Sequence, residues 1–193
     1  LNFKDRLSPN IFVRAHGGFL EPMFAGIGGE LLYMPTSSSI AVGLDLHHVR
    51  QRDFEMRFDL QDYEATVGKV SLYYDNGGPF DLEINAGRYL AEDWGATTKL
   101  SRRFANGWEF GAYGTLTDVP FDVFGEGSFD KGIYINIPLD WLTGTPSMSK
   151  RNFTIRPITR DGGARLGTAR QLYKMVQDAQ EKHLAREIGR MWK

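Results

Sequence analysis

The chain has 193 residues, a formal net charge of −1, no cysteine, 22 glycines and 13% aromatic residues. The balanced charge gives no basic footprint for nucleic acid, and the lack of cysteine excludes disulfides and thiolate metal sites. No run of about 18 apolar residues occurs, so no transmembrane helix is expected, although the polar mean hydropathy of −0.36 suits a β-type membrane protein, in which half of each strand faces a lumen. With no initiator Met and no signal peptide, Leu1 reads as the start of a mature chain, a domain or a processed fragment.

In chain order, period-two alternation predicts strands near 11–20, 23–34, 40–46, 63–75, 80–87, 94–103, 108–117 and 131–140, and a short one near 152–158. Ile40, Val42, Leu44 and Leu46 share one face of their run, with Ala41, Gly43, Asp45 and His47 on the other. Phe80, Leu82, Ile84 and Ala86 oppose Asp81, Glu83, Asn85 and Gly87 in the same way. Farther on, Trp94, Ala96, Thr98 and Leu100 oppose Thr97, Lys99, Ser101 and Arg103, and Phe110, Ala112 and Leu116 oppose Glu109, Tyr113 and Thr115. Turn-forming clusters at 35–39, 76–79, 92–93, 105–107 and 146–147 separate these runs. Asn106-Gly107 is a strong hairpin signal because both residues tolerate positive φ. Several runs are long enough to cross a bilayer when tilted.

After 168 the period changes. Thr168 and Gln171 form a Thr-x-x-Gln capping box. Leu172, Val176, Ala179, Leu184, Ile188 and Met191 make an apolar stripe, with Lys174, Gln177 and Asp178 mostly elsewhere. The chain therefore divides into a sheet region, 1–160, a turn or linker, 161–167, and an amphipathic terminal helix, 168–193.

Alternation alone suits a soluble barrel or sandwich, with the apolar face inward. Two features favour the inverted arrangement. Charge recurs on the polar faces of successive strands: Arg14, His16, Glu30, Asp45, Lys69, Asp81, Glu83, Lys99, Arg103 and Glu109. Aromatic residues also sit near strand ends, at Tyr33, Tyr74, Trp94, Phe104, Trp108 and Trp141, as a headgroup-level girdle requires. A spanning sheet must satisfy every backbone amide, so it has to close. About eight strands can close alone, or they can form part of a larger barrel.

The run from Phe124 to Trp141, Phe-Gly-Glu-Gly-Ser-Phe-Asp-Lys-Gly-Ile-Tyr-Ile-Asn-Ile-Pro-Leu-Asp-Trp, is followed by Arg156-Pro157 and Arg160-Asp161-Gly162-Gly163. Together with Glu21-Pro-Met-Phe-Ala-Gly-Ile-Gly-Gly-Glu-Leu-Leu-Tyr33, Val49-Arg-Gln-Arg-Asp-Phe54, Ala86-Gly-Arg-Tyr-Leu90 and Thr115-Leu-Thr-Asp-Val-Pro-Phe121, it resembles the YjbH/GfcD-type exopolysaccharide biosynthesis family. The resemblance covers most of 15–173 and only the C-terminal part of the longer family members. It implies an all-β antiparallel outer-membrane β-barrel; the alternation supplies about eight or more long strands, and the amphipathic C-terminal helix is placed on the periplasmic side because such barrels keep short turns and termini there. It further implies a non-enzymatic component of exopolysaccharide or capsule export, without a cofactor. The partners would be outer-membrane lipid, polysaccharide or secretion proteins, and the missing N-terminal portion of the family. The competing readings are an outer-membrane lipid-modifying enzyme and a soluble β-barrel binding module.

Candidate polysaccharide or lumen contacts are Asp45, Asp81, Glu83, Lys99, Arg103, Glu109, Glu126 and Asp130. Arg156, Pro157, Arg160, Asp161, Gly162 and Gly163 form the family-like turn, in which Pro157 cannot donate to a ladder and marks a strand end. The glycine-rich loop 124–129 lacks the Lys-Ser/Thr ending of a phosphate-binding loop. His47 and His48 alternate faces, so they cannot chelate one ion together. His16, His47 and Asp45 are expected to be a solvated cluster, and Ser71 or Ser101 with a histidine offers only a generic nucleophile pair. Arg50, Arg52 and Arg57 read as a solvated strand extension. The expected lipid face is Val42, Leu44, Leu82, Ile84, Phe110, Ile133 and Ile135.

Overall fold

A computed structural model describes residues 1–55, 57–120, 129–144, 149–157, 162–168, 171–181 and 183–184. The side chain of Trp141, and residues Glu126, Arg160, Asp161, Ile188, Met191 and Trp192, lie outside that description. The strands are β1 (Asn2–Ser8), β2 (Ile11–Phe19), β3 (Phe24–Tyr33), β4 (Ile40–Arg52), β5 (Leu60–Asp75), β6 (Phe80–Arg88), β7 (Trp94–Arg103), β8 (Glu109–Thr117), β9 (Asp130–Pro138) and β10 (Lys150–Ile155). Among the described residues there are also two short helices, α1 (Leu139–Thr143) and α2 (Leu172–Asp178). Every strand pairs antiparallel with its sequence neighbour, in the order β1 to β10 of a 10-stranded sheet. The predicted closure is not observed: β1 and β10 are the two edges and do not pair with each other. β1 was not anticipated, because Asp5 shares a face with Phe3 and Leu7 and blurs the alternation.

The turns follow their chemistry. Gly107 has φ of 85° and Gly77 of 76°, as the two hairpins need. Asp75 and Asn106 accept backbone N–H bonds from Gly77 and Trp108 at 2.8 and 3.1 Å, holding the chain as it reverses.

Register fixes which side chains share a face. Outward, Tyr33 pairs with Val42, Val42 with Leu72, and Leu72 with Ile84. Inward, Ser71 pairs with Asn85, Asn85 with Thr97, Thr97 with Thr115, and Thr115 with Asp130. Tyr33, Val42 and Leu72 are exposed and Ile84 is half-buried, and elsewhere on the outer face Leu44 and Leu100 are each at 51%, whereas Thr97 and Thr115 are at 0%. So many buried polar side chains beneath one short helix require the sheet to curl around its inner face. Aromatic residues project at both ends of the strands: Tyr33, Tyr74, Phe80 and Phe104 at one end, Phe19, Phe58 and Trp94 at the other.

Two small apolar clusters on the inner side seal the C-terminal segment to the sheet. Leu32, Met34, Ala41 and Tyr73 hold Leu172, with Tyr173 and Val176 packed alongside. Val49, Ala65, Val67 and Leu90 pack against Leu166. The terminal helix begins at Leu172, later than the sequence suggests, and Thr168 does not cap it. Its first N–H is taken instead by Glu30 on β3 at 2.6 Å. Gln177, expected on the polar side, is buried at 2%, and Leu184, expected in the buried stripe, is 37% exposed. Leu172 and Val176 pack inward as the stripe requires, but farther along the segment meets the polar Asp75 and Arg103, which take Gln177 and His183.

Candidate functional site

The inner face of β5–β9 is a field of cross-strand polar pairs. Glu83 sits across from Lys99 with ions 3.7 Å apart. Arg103 grips Asp81 at 2.6 Å, and the Tyr134 hydroxyl donates to Glu109 at 3.3 Å. Five of the predicted contacts, Asp81, Glu83, Lys99, Arg103 and Glu109, line one cavity of about 390 Å³, closed on its other side by Tyr173, Lys174 and Gln177. Burial there pushes the Lys174 ammonium below its usual range, partly offset by Glu109 and Asp178. A second opening of about 450 Å³ continues past Lys99 to Tyr134, Asn152 and Arg156. Asp45 lies apart from this group, in an ion pair with Lys69 at 3.3 Å. Asp130 is buried, taking Arg165 at 3.6 Å and the Tyr113 hydroxyl at 3.4 Å.

The C-terminal segment runs along this face from one end of the strands to the other. At the first end, buried Gly163 donates its N–H to Asp93 at 2.7 Å, and Leu90 donates to the Ala164 carbonyl at 2.9 Å. Gly163 has φ of 71°, and a Cβ there would lie 3.0 Å from Thr115 Cγ2, so this turn needs glycine. Arg156 is exposed and Pro157 half-buried just beyond β10. Farther along, Tyr173 stacks on Tyr73 with ring centroids 3.7 Å apart. Asp75 then takes Gln177 at 2.8 Å and His183 at 2.7 Å, while Arg103 contacts the other ring nitrogen of His183 at 2.6 Å. Sequence reading missed Asp75, Gln177, His183 and Asp93. Their partners lie 70 to 108 positions away, and no local motif marks them.

The histidines are buried rather than solvated, His16 at 8% and His47 at 4%. Their Nε2 atoms are 3.1 Å apart, beside the Glu30 carboxylate, an arrangement of donors able to hold a metal ion. His48 points to the opposite face and meets Thr66 at 3.0 Å. Among the described residues neither Ser71 nor Ser101 hydrogen-bonds a histidine. Arg52 is not solvated either: it is 9% exposed, lies 4.1 Å over the Phe19 ring and donates to the Pro22 carbonyl.

The arrangement as a whole is an inside-out β protein, apolar outside and polar within, with its own C-terminal segment packed on the polar face. The chain belongs to the family described as Exopolysaccharide biosynthesis protein YbjH, which it matches over residues 1–178. It is similar to the Uncharacterized lipoprotein YjbH of Escherichia coli (strain K12), with 38% identity over 182 residues, 92% of this chain. The chain spans 26% of that protein's length. No solved structure matches it.

Proposed function

We propose that this chain forms the C-terminal part of an outer-membrane β-barrel that serves, without catalysing a reaction, in the export or assembly of an exopolysaccharide. The carrying observation is the inverted polarity. Leu31, Val42, Leu44, Leu72, Leu100, Phe110, Leu116 and Ile133 are exposed on one face, while Arg14, Glu109, Thr97 and Asp130 are buried on the other. A contiguous apolar face of this extent marks a membrane or a partner surface, and aromatic residues at both strand ends fit two headgroup levels. The free edges of β1 and β10 fit strands supplied by the rest of a longer protein, since an open edge is not tolerated in lipid. The lipoprotein description of the relative supports membrane association, and the family supports polymer work. Glu83, Lys99, Glu109 and Tyr134 would offer a sugar chain hydrogen-bonding groups of both signs and an aromatic face. Short turns and termini of such barrels face the periplasm, which assigns the α2 end there.

Spin labels at positions 44, 72, 100 and 133 in lipid-reconstituted full-length protein test the reading. Dissolved oxygen should relax them more strongly than a water-soluble nickel chelate, and labels at positions 83 and 109 should show the reverse. Stronger relaxation by the chelate at the first set would refute the membrane assignment. Deletion of the gene should lower surface polymer while sugar-nucleotide pools stay intact.

A further inference from the structure

We propose that His16, His47 and Glu30 bind a late first-row divalent metal ion, with Zn²⁺ the expected occupant. The inference does not depend on the membrane reading. One donor atom from each residue lies within 4.8 Å of the other two. Two imidazoles on a single tetrahedral Zn²⁺, each at about 2.0–2.1 Å, place their nitrogens roughly 3.3 Å apart. The observed Nε2–Nε2 separation is 3.1 Å. A lone N–H···N bond between the rings also fits that distance, so the assignment rests on what surrounds the pair.

The strands are built for the meeting. His16 on β2 and His47 on β4 are both in register with Gly28 on β3. They lie two strand spacings apart, roughly 9–10 Å of backbone separation, and their rings meet only because position 28 has no side chain. A Cβ there would lie 2.0 Å from His47 Cδ2. Metal on both Nε2 atoms requires protons on both Nδ1 atoms. His47 Nδ1 lies 3.7 Å from the Asp45 carboxylate, too far for a direct hydrogen bond but near enough to favour a proton on that nitrogen electrostatically. His16 Nδ1 is buried and has no hydrogen-bond partner among the described residues. Glu30 accepts from Arg14 on Oε1 and from the Leu172 N–H on Oε2. A carboxylate has about four lone-pair sites, so each oxygen retains one for a metal.

Two imidazoles and one carboxylate suit Zn²⁺, Cu²⁺ or Ni²⁺, whereas Mg²⁺ and Ca²⁺ prefer oxygen alone. A cavity of about 30 Å³ lined by Glu30, Asp45, His47 and Lys69 adjoins two of the three donors. That exceeds the roughly 10–15 Å³ a water needs, so a water there could serve as a fourth ligand. Because Glu30 also holds the first N–H of α2, metal binding would brace the start of that helix.

The test uses the full-length protein in detergent, without a polyhistidine tag, stripped with EDTA and titrated with CoCl₂. Saturable binding of one equivalent is expected, with the visible bands of a nitrogen–oxygen site and displacement by Zn²⁺. His16→Gln and His47→Gln should each weaken binding by about tenfold or more, and His48→Gln, on the opposite face, should leave it unchanged. Absence of saturable binding to the folded unmodified protein overturns the proposal whatever the variants do. Equal weakening by His48→Gln and His47→Gln overturns it as well.

Discussion

The two faces of this sheet carry the same alternation and are covered in opposite ways. On the outer face Val70, Leu72, Leu100 and Leu116 are exposed, and nothing among the described residues packs over them. On the inner face Arg14, Glu109, Thr115 and Asp130 are buried beneath the curl of the sheet and the C-terminal segment. Burying charge is costly unless it is paired, and here it is paired across strands or with the returning segment. In a water-soluble barrel of this architecture the apolar side chains would fill the middle. The contrast shows that the alternation of this chain encodes a polar interior, so the hydrophobic effect acts between the outer face and its surroundings.

The sharpest way to break the inner face is to remove its central acceptor. Asp75 is 3% exposed and receives Gln177, His183 and the Gly77 N–H, with Arg103 at 3.8 Å. Asp75→Ala leaves Gln177 and His183 buried without their acceptor, while Arg103 keeps Asp81, a loss of about 3–5 kcal/mol. Amide exchange across 172–184 should accelerate to the rate of an unattached segment. Asp75→Asn, which keeps an acceptor, should have a smaller effect. Unchanged exchange in the alanine variant would show that Asp75 does not hold the segment.

The outer face is tested by placing charge on it. Leu44→Arg in the middle of β4 should cost about 2–4 kcal/mol in lipid, read as a lowered urea midpoint of the reconstituted protein. The same change in a water-facing surface falls within about 0.5 kcal/mol. The size of the effect therefore separates lipid from water directly.

Much of this plan was legible in the sequence. Alternation in 40–46, 80–87 and 94–103 placed side chains on the faces where they are found, because a two-residue period is a local property. Asp81, Glu83, Lys99, Arg103 and Glu109 were grouped by face, and the register brings them to one cavity. What failed was non-local. Thr168 carried a proper capping box, yet the first helical N–H, of Leu172, goes to Glu30, 142 positions from it. His16 and His47 were grouped on one face but read as solvated; they are buried against each other, and that meeting depends on Gly28, an unremarkable glycine until β2, β3 and β4 are in register. Nor does alternation reveal whether the last strand will find the first, and the order ends at β1 and β10.

A smaller perturbation separates the turn from the helix in anchoring the segment. Gly163 has φ of 71°, near Thr115. Gly163→Ala should cost about 1–2 kcal/mol from the left-handed backbone. The same substitution at Gly144, also at positive φ (66°) but with nothing among the described residues within 4 Å of a Cβ, supplies the backbone cost for comparison. A greater loss at position 163 than at 144 in denaturant titration would measure the Thr115 contact.

The smallest expected effect concerns the aromatic contact between the helix and the inner face. Tyr73 and Tyr173 are nearly parallel, 5° apart in plane, with centroids at 3.7 Å. Aromatic pairs favour offset or edge-to-face geometry and contribute about 0.5–1.5 kcal/mol beyond burial. A nearly face-to-face pair belongs at the low end of that range. Burial also pushes the Tyr173 phenol well above its ordinary range, so its hydroxyl stays protonated and can accept from Gln177 at 3.1 Å. In a double-mutant cycle, Tyr73→Leu and Tyr173→Leu should couple by about 0.5 kcal/mol, measured by amide exchange in α2 rather than by global unfolding, because a short helix opens locally first. Tyr173→Phe should retain that coupling and lose only the Gln177 bond. Zero coupling would mean that α2 is held by Asp75, Glu30 and the packing of Leu172 and Val176, with the rings merely filling space.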